Sequence, residues 1–236
     1  MNKLDAILNQ IENKFQPISI FLYGSRARTD FLEKSDYEIG ILFRSDRYIS
    51  RSEIKKAVNQ KGFNIYPFRY EDFIKRKIDT PFQSSIYLYE LIKSGKTLRG
   101  RKVIEGMSPS PIKVIDLMQD IRFNIGFALA SIISHRNGDS KTASMEFYKS
   151  CLFGTRDLII LTKKKFAFSY DDIFKFSKKI DLGEYTDLVS VAYGSRIGKK
   201  TYENDHLFKN ISFLNKFIEP QIIQLFKKKG NIELII

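Results

Sequence analysis

The sequence predicts an α+β fold, in which a mixed β-sheet with flanking helices is followed by an all-α helical bundle. Short apolar runs typical of strands alternate with helical patterns only as far as about residue 104. The segment 106–111 then places one glycine, two serines and two prolines in six residues, which predicts a linker. After it no proline occurs before Pro220, and strand patterns disappear. We therefore predict one domain at 1–105 and a second at 112–236.

The elements of the first domain follow from periodicity. Leu4, Leu8 and Ile11 recur at helical spacing, and the apolar runs that come next are rich in β-branched and aromatic residues. Pro67 lies in the third of these runs and predicts either an edge strand or an early end of the strand, because proline cannot donate to a ladder. We predict helices at 2–15, 52–61 and 84–93, and strands at 18–23, 37–43, 63–70 and near 97–98. The first three strands are expected to lie side by side.

Five segments of the second domain have helical periodicity and no strand signal. Ser169 precedes the third and is a favoured N-cap residue. Pro220 lies inside the fifth, and we expect it to kink or split that helix. The predicted helices span 112–134, 142–165, 171–180, 185–195 and 203–227. A strand of four or more residues between 112 and 227 would contradict this architecture.

Composition excludes several classes of protein. The 236 residues are 43% hydrophobic, which is enough for a core, and no window approaches the ~18 consecutive apolar residues of a membrane span. Cys151 is the only cysteine, so an intrachain disulfide and a cysteine-based zinc site are excluded. With two histidines, metal chemistry must rest on carboxylates, which suit Mg²⁺. One unpaired thiol is simplest to explain in a cytoplasmic protein, which is our expectation for its location.

The chain is basic, with a net charge of +13. This charge predicts an anionic partner, such as a nucleotide, a nucleic acid or a membrane surface. The alternative is a lysine-rich surface that serves solubility alone. We retain a nucleotide, and a nucleic acid bound through the basic surface, as predicted partners, and we predict no membrane association.

One segment combines features that bind phosphate. The first predicted strand runs into Gly24-Ser25 and then into a short basic helix. Backbone N–H groups at such a turn, with the Ser25 hydroxyl beside them, bind phosphate well, and Gly24 permits close approach. Arg26 and Arg28 add positive charge at the same end. These four residues are our candidates for nucleotide binding.

Two carboxylates follow on the next predicted strand. Asp36 and Glu38 are two residues apart, so both point to one face, at about 6–7 Å between Cα atoms. Such a pair can share a divalent cation that bridges nucleotide phosphates and neutralises the charge that develops in phosphoryl transfer. Taken alone, an Asp-X-Glu sequence on an edge strand is more often a solvated face. The combination with the preceding turn favours the metal site.

The combined motif resembles the nucleotidyltransferase superfamily that includes DNA polymerase β, and is closest to its minimal nucleotidyltransferase branch. The family pattern is Gly-Ser-X-Ala-Arg-Gly, then several residues, then Ser-Asp-X-Asp and a hydrophobic residue. The positions that match it are Gly24, Ser25, Ala27, Arg28, Ser35 and Asp36. The resemblance implies an Mg²⁺ held by Asp36 and Glu38 as catalytic metal ligands.

The sequence departs from the family pattern at three positions. Glu38 stands where the family has Asp, which extends the carboxylate by ~1.5 Å in a site with strict metal geometry. Thr29 replaces a glycine. A third family acid aligns with Asn64, and an amide cannot act as general base. Either the base comes from elsewhere, or the site is weakened.

The helical half of the chain offers candidates for the missing general base. Antibiotic nucleotidyltransferases, which the chain resembles in outline, join a nucleotide-binding domain to a helical bundle, and an acid of the bundle takes the proton of the acceptor hydroxyl. The candidates are Glu146, Asp116, Asp120 and Asp157. We predict Glu146, in an apolar stretch near the start of a helix; the alternative is an acid that favours the helix dipole. The half also resembles HEPN-type bundles, which implies a homodimer through this domain, but it lacks their Arg-X(4–6)-His ribonuclease motif.

These features together predict an enzyme that transfers a nucleoside monophosphate from an Mg-NTP to a hydroxyl acceptor, with ATP as the expected donor and AMP as the expected group, although the sequence leaves the nucleotide base open. The acceptor is a small molecule, a protein or a nucleic acid. The alternative is a catalytically degenerate module of the same fold that binds nucleotide, nucleic acid or a partner protein without turnover.

Overall fold

The computed structural model describes residues 3–28, 30–33, 35–44, 46, 49–58, 60–78 and 84–235. The chain forms two compact units, Met1–Ser110 and Pro111–Ile236. The boundary between them falls within the segment 106–111.

The first unit is built on a four-stranded mixed sheet. Its elements are α1 (Lys3–Phe15), β1 (Ser19–Tyr23), α2 (Ser25–Arg28), β2 (Tyr37–Phe43), α3 (Arg51–Ala57), β3 (Phe63–Arg69), α4 (Tyr70–Ile74), α5 (Ser84–Ser94) and β4 (Lys96–Gly100). The strand order is β3-β2-β1-β4, with β1 antiparallel to β2 and β4, and β2 parallel to β3. The predicted mixed sheet is confirmed, and β3, which contains Pro67, lies at its edge.

The central strand β2 separates two cores. Ile39, Ile41 and Phe43 point to one face and pack with buried residues of α1 and α3. Leu42 points to the other face, where it packs with Phe21 of β1 and with side chains of α4 and α5. Because side chains alternate along a strand, the even-numbered residues of β2 all belong to this second face.

The second unit is helical, as predicted. It contains β5 (Ile112–Lys113), α6 (Val114–Arg136), α7 (Ser140–Lys163), α8 (Tyr170–Ser177), α9 (Thr186–Arg196), α10 (Asn204–Ser212), a π-helix (Phe213–Ile218), α11 (Glu219–Lys229) and β6 (Glu233–Ile235). The hydrophobic periodicity of the sequence did not predict the short antiparallel pairing of β5 with β6, in which Ile112 is opposite Ile235. None of the described helices is long and apolar enough to cross a membrane.

The predicted helix at 203–227 is divided near Pro220. The chain widens into the π-helix Phe213–Ile218 and resumes as α11, with Pro220 in its first turn. Proline has no N–H to donate to the preceding turn, and its ring crowds the carbonyl four residues earlier. The wider π turn lets the chain continue past Pro220 without a break in the helical path.

The helical unit buries four polar side chains in one cluster. Arg156 Nη2 is 3.6 Å from Asp120 Oδ2, and Asn124 Nδ2 donates to the same oxygen at 3.2 Å. Asp157 is fully buried and faces Asp120. Burial, and then the Asp120 charge, raise the pKa of Asp157 well above its usual value. We infer that the two carboxyl groups share one proton.

This proton makes stability depend on pH. A folded-state pKa above the unfolded value of about 4 means that, at pH values between the two, the native bundle holds a proton that the unfolded chain has released. The contribution of the pair to stability is complete below the unfolded-state pKa. It is lost as the pH rises toward the folded-state pKa, by up to about 1.4 kcal/mol for each pH unit.

Asp157→Asn should remove this dependence, because the amide has a similar shape and is neutral at every pH. We expect its free energy of unfolding to exceed that of the wild type by an amount that grows with pH. Urea unfolding followed by circular dichroism, at pH values from about 5 to about 8, measures the difference. Asp205→Asn, at an exposed position, is the control. A difference that is the same at all pH values would contradict the shared proton.

Candidate active site

The turn after β1 is shaped by Gly24. Its backbone has a φ of +71°, and its carbonyl accepts hydrogen bonds from Ala27 N at 3.1 Å and Arg28 N at 3.2 Å. A Cβ at this position would lie 1.7 Å from Glu38 Oε2. The left-handed backbone therefore favours glycine, and any side chain here would displace the Glu38 carboxylate. Ser25 begins α2 directly after this turn.

The two predicted acids lie on the second face of the sheet. Strand register places Glu38 opposite Tyr23 on one side and Asn64 on the other. Asp36, which is exposed and just precedes β2, accepts a hydrogen bond from Asn64 Nδ2 at 3.0 Å. Glu38 thus reaches toward the turn at Gly24, while the Asp36 carboxylate is held from β3.

Three tyrosines beside Glu38 complete this face. The ring of Tyr23 is 6.2 Å from the rings of both Tyr66 and Tyr87, and the Tyr23 and Tyr87 hydroxyls are hydrogen-bonded. Burial raises the pKa of each phenol, and the Glu38 charge adds to the effect. All three are therefore neutral hydrogen-bonding groups at physiological pH. The sequence analysis missed them, although Tyr23 adjoins the motif and Tyr66 lies on the predicted third strand.

The two arginines of the motif have structural partners. Arg28 Nε is 3.2 Å from Asp30 Oδ1, and Arg28 Nη1 pairs with Glu90 of α5. These ion pairs are mostly shielded from solvent and tie α2 to α5. Arg26 Nε donates to the carbonyl of Ser35 at 2.8 Å. Direct binding of a nucleotide by either arginine remains a prediction.

The first unit also matches a known protein family. Residues 4–104 match the family model described as Nucleotidyltransferase domain. This part of the chain is a nucleotidyltransferase domain. The matched residues include the turn at Gly24 and both acids, Asp36 and Glu38.

The nucleotidyltransferase domain and the helical unit together are similar to a solved structure. It is a spectinomycin adenyltransferase from Enterococcus faecialis, crystallised with ATP and spectinomycin, and the TM-score is 0.59. The match covers 94% of this chain and 97% of that chain at 14% sequence identity, so it shows a shared fold. A comparison with curated proteins finds no match.

The donor set of the nucleotidyltransferase domain suits a hard cation. Within the described part of the chain, no three His, Cys, Asp or Glu side chains are close enough to hold a metal ion by themselves. Glu38 offers carboxylate oxygens beside the Gly24 turn, and the Asp36 carboxylate, two residues earlier in the chain, is exposed to solvent. Mg²⁺ is usually held by one or two carboxylates together with substrate phosphates and water. These residues therefore fit an Mg²⁺ that arrives with a nucleotide.

The four acids proposed as a base in the helical unit differ in exposure. Asp120 and Asp157 belong to the buried cluster, and Asp116 is buried and accepts from Lys113 N at 2.7 Å as a cap of α6. Glu146 on α7 is half-buried, and its Oε2 accepts a hydrogen bond from Ser134 Oγ at 2.8 Å. Of the four, Glu146 is the most accessible to an incoming hydroxyl.

Gly24→Ala tests the contact between the turn and Glu38. Strain from the left-handed backbone should lower the free energy of unfolding by about 1–2 kcal/mol. The displaced Glu38 carboxylate should also weaken Mg²⁺-dependent nucleotide binding. Gly138→Ala is a matched control, since Gly138 has a φ of +78° and open space around its Cβ position. Equal loss of nucleotide binding in both variants would contradict a specific role for Gly24.

Proposed function

We propose that the chain transfers AMP from Mg-ATP to an acceptor, whose hydroxyl oxygen bonds to the α-phosphorus as the bond to the β-phosphate breaks and pyrophosphate leaves. The observation that carries this proposal is that Glu38 of a nucleotidyltransferase domain lies against the turn at Gly24, while Asp36 is hydrogen-bonded to Asn64, the residue opposite Glu38 on β3. The structurally similar protein is an adenyltransferase solved with ATP and spectinomycin, which supports ATP as donor and a small hydroxyl compound as acceptor.

Each residue has a distinct part in this proposal. The backbone N–H groups after Gly24 and the Ser25 hydroxyl bind the phosphates. Asp36 and Glu38 hold Mg²⁺, which supplies charge neutralisation to the transferred phosphoryl group when it is bound. Tyr23 and Tyr87, whose hydroxyls are hydrogen-bonded to each other, supply neutral polar groups near the Glu38 carboxylate. Glu146 takes the proton from the acceptor hydroxyl, as the resemblance to antibiotic nucleotidyltransferases implies.

The experiment uses each of the four Mg-NTPs labelled on the α-phosphate, with a pool of acceptors that includes spectinomycin and other aminocyclitols, tRNA and denatured proteins. Transfer of label from ATP to one acceptor, and its loss in EDTA, is the expected result. Binding of Mg-ATP without transfer to any acceptor would favour the degenerate module instead. The nucleic-acid partner and the homodimer also remain predictions, which a labelled tRNA product and light scattering test.

Asn64→Asp should tighten metal binding. The amide now donates to Asp36 Oδ2, and a carboxylate in its place would face Asp36 at about the same 3.0 Å separation. Two carboxylates so close repel each other without a cation and bind one more tightly. We expect a lower Kd for Mn²⁺ by about tenfold, which is 1.4 kcal/mol, and a lower melting temperature in EDTA.

The control for this variant is Asn9→Asp, which adds the same charge at an exposed position on α1. It should leave the Kd for Mn²⁺ unchanged, because it lies outside the predicted metal site. A gain in Mn²⁺ affinity of the same size in both variants would show that net charge alone is responsible, and no gain in Asn64→Asp would place the cation away from β3.

A further inference from the structure

Arg26 is held at the loop that precedes Asp36. Its Nε donates to the carbonyl of Ser35 at 2.8 Å, and its Nη2 donates to the carbonyl of Glu33 at 3.3 Å. Ser35 is the residue immediately before Asp36, so the first of these bonds fixes the backbone at the start of the predicted metal ligand. The hydroxyl of Ser35 accepts from Leu32 N at 3.0 Å and closes the same loop.

The guanidinium of Arg26 also lies against two aromatic rings. Its Cζ is 4.1 Å from the ring centroid of Tyr37 and 4.7 Å from that of Phe31. The Tyr37 ring is in turn stacked on Phe63 of β3, at 4.8 Å between centroids and 7° between planes. The Arg26 guanidinium therefore connects the loop to Tyr37 of β2 and, through the stacked Tyr37 ring, to Phe63 of β3.

These contacts use the properties that distinguish arginine from lysine. The planar guanidinium stacks on rings and donates to two carbonyls at once, whereas an ammonium is a compact charge without a flat face. The Arg26 guanidinium already contacts two aromatic rings and two backbone carbonyls. These contacts indicate a role other than phosphate binding, although its positive charge would suit an anion.

We propose that Arg26 is a positioning residue for Asp36, which it holds at the metal site by fixing the backbone of Ser35. The inference rests on the metal role assigned to Asp36 in the proposed function. Asn64 supports the Asp36 carboxylate from β3, and Arg26 supports its main chain from α2. Positioning groups of this kind typically change metal affinity by 10–100-fold when they are removed.

The first test is Mn²⁺ binding by electron paramagnetic resonance, without nucleotide, in the full chain. Arg26→Lys keeps the charge but loses the stack and one carbonyl bond, and we expect the Kd for Mn²⁺ to rise about tenfold. Phe31→Leu removes one ring from an exposed position and should give a smaller rise. Arg44→Lys, at an exposed residue beyond the other end of β2, is the control. An unchanged Mn²⁺ affinity in a folded Arg26→Lys variant would overturn the inference.

The second test separates positioning from direct contact with phosphate. If Arg26 acts through Asp36, Arg26→Lys should leave the Kd for ATP in EDTA unchanged and should have no further effect on Mn²⁺ in an Asp36→Asn background. Weaker ATP binding in EDTA would instead make Arg26 a phosphate ligand and overturn the inference. Failure of the wild type to bind ATP at all would contradict the proposed function, while the Mn²⁺ comparison would still decide the role of Arg26.

Discussion

Asp36→Asn should lower the rate of nucleotidyl transfer by about 10²–10³-fold, because it removes one of two carboxylates that hold the charge-neutralising cation. The variant should also weaken binding of Mg-ATP more than binding of ATP in EDTA, since a metal-free ligand does not use the carboxylate. The asparagine retains an oxygen that can accept the hydrogen bond from Asn64, so the local structure should persist.

Isothermal titration of ATP with and without Mg²⁺, together with the rate of label transfer, measures both effects. Asp46→Asn is the matched control, since Asp46 is an exposed acid of the same unit. Equal loss of affinity with and without Mg²⁺ would show that Asp36 has a structural role. Full activity in the Asp36→Asn variant would show that Asp36 is not a metal ligand.

Glu146→Gln should lower kcat by about 10²–10⁴-fold and leave nucleotide affinity nearly unchanged, as expected for loss of a general base. Glutamine keeps the shape and can accept the hydrogen bond from Ser134, but it cannot take a proton at neutral pH. Single-turnover kinetics with saturating Mg-ATP separate the chemical step from binding.

Ser134→Ala is the companion variant for Glu146. It removes the hydrogen bond to the carboxylate but leaves the carboxylate in place, so its effect on kcat should be much smaller. Similar losses in the two variants would indicate that the packing between α6 and α7 is being disturbed. A silent Glu146→Gln in an active protein would assign the base to another residue.

Periodicity was sufficient to predict most of the elements. The strands around Phe21, Ile39 and Ile65 are apolar runs whose side chains fill the two cores. Their apolar composition was a visible signal in the sequence because these side chains are buried. Pro220 was correctly expected to disturb the last helix, which widens into a π-helix just before it, because the missing N–H acts locally in any context. The short helix α4 was not predicted, since five residues give too little periodicity.

The candidate site was predictable in part. The two-residue repeat of β2, a local property, places Glu38 on the same face as Leu42, whereas Asp36 lies just before the strand. The partners of Arg28 and Arg26 were not predictable, because Glu90 and the loop carbonyls come near only when the chain folds. Charge alone favoured phosphate binding for both arginines, whereas the structure shows contacts that hold the loop and the turn in place.

The pairing of β5 with β6 has a consequence for how the helical unit folds. Ile112 and Ile235 come from nearly opposite ends of this unit, and their strands have only two and three residues. Closing so long a loop has an entropic cost that a few hydrogen bonds cannot offset before the intervening helices have packed. The ladder should therefore be among the last contacts to form, and protection of its amides against exchange would report completion of the native bundle.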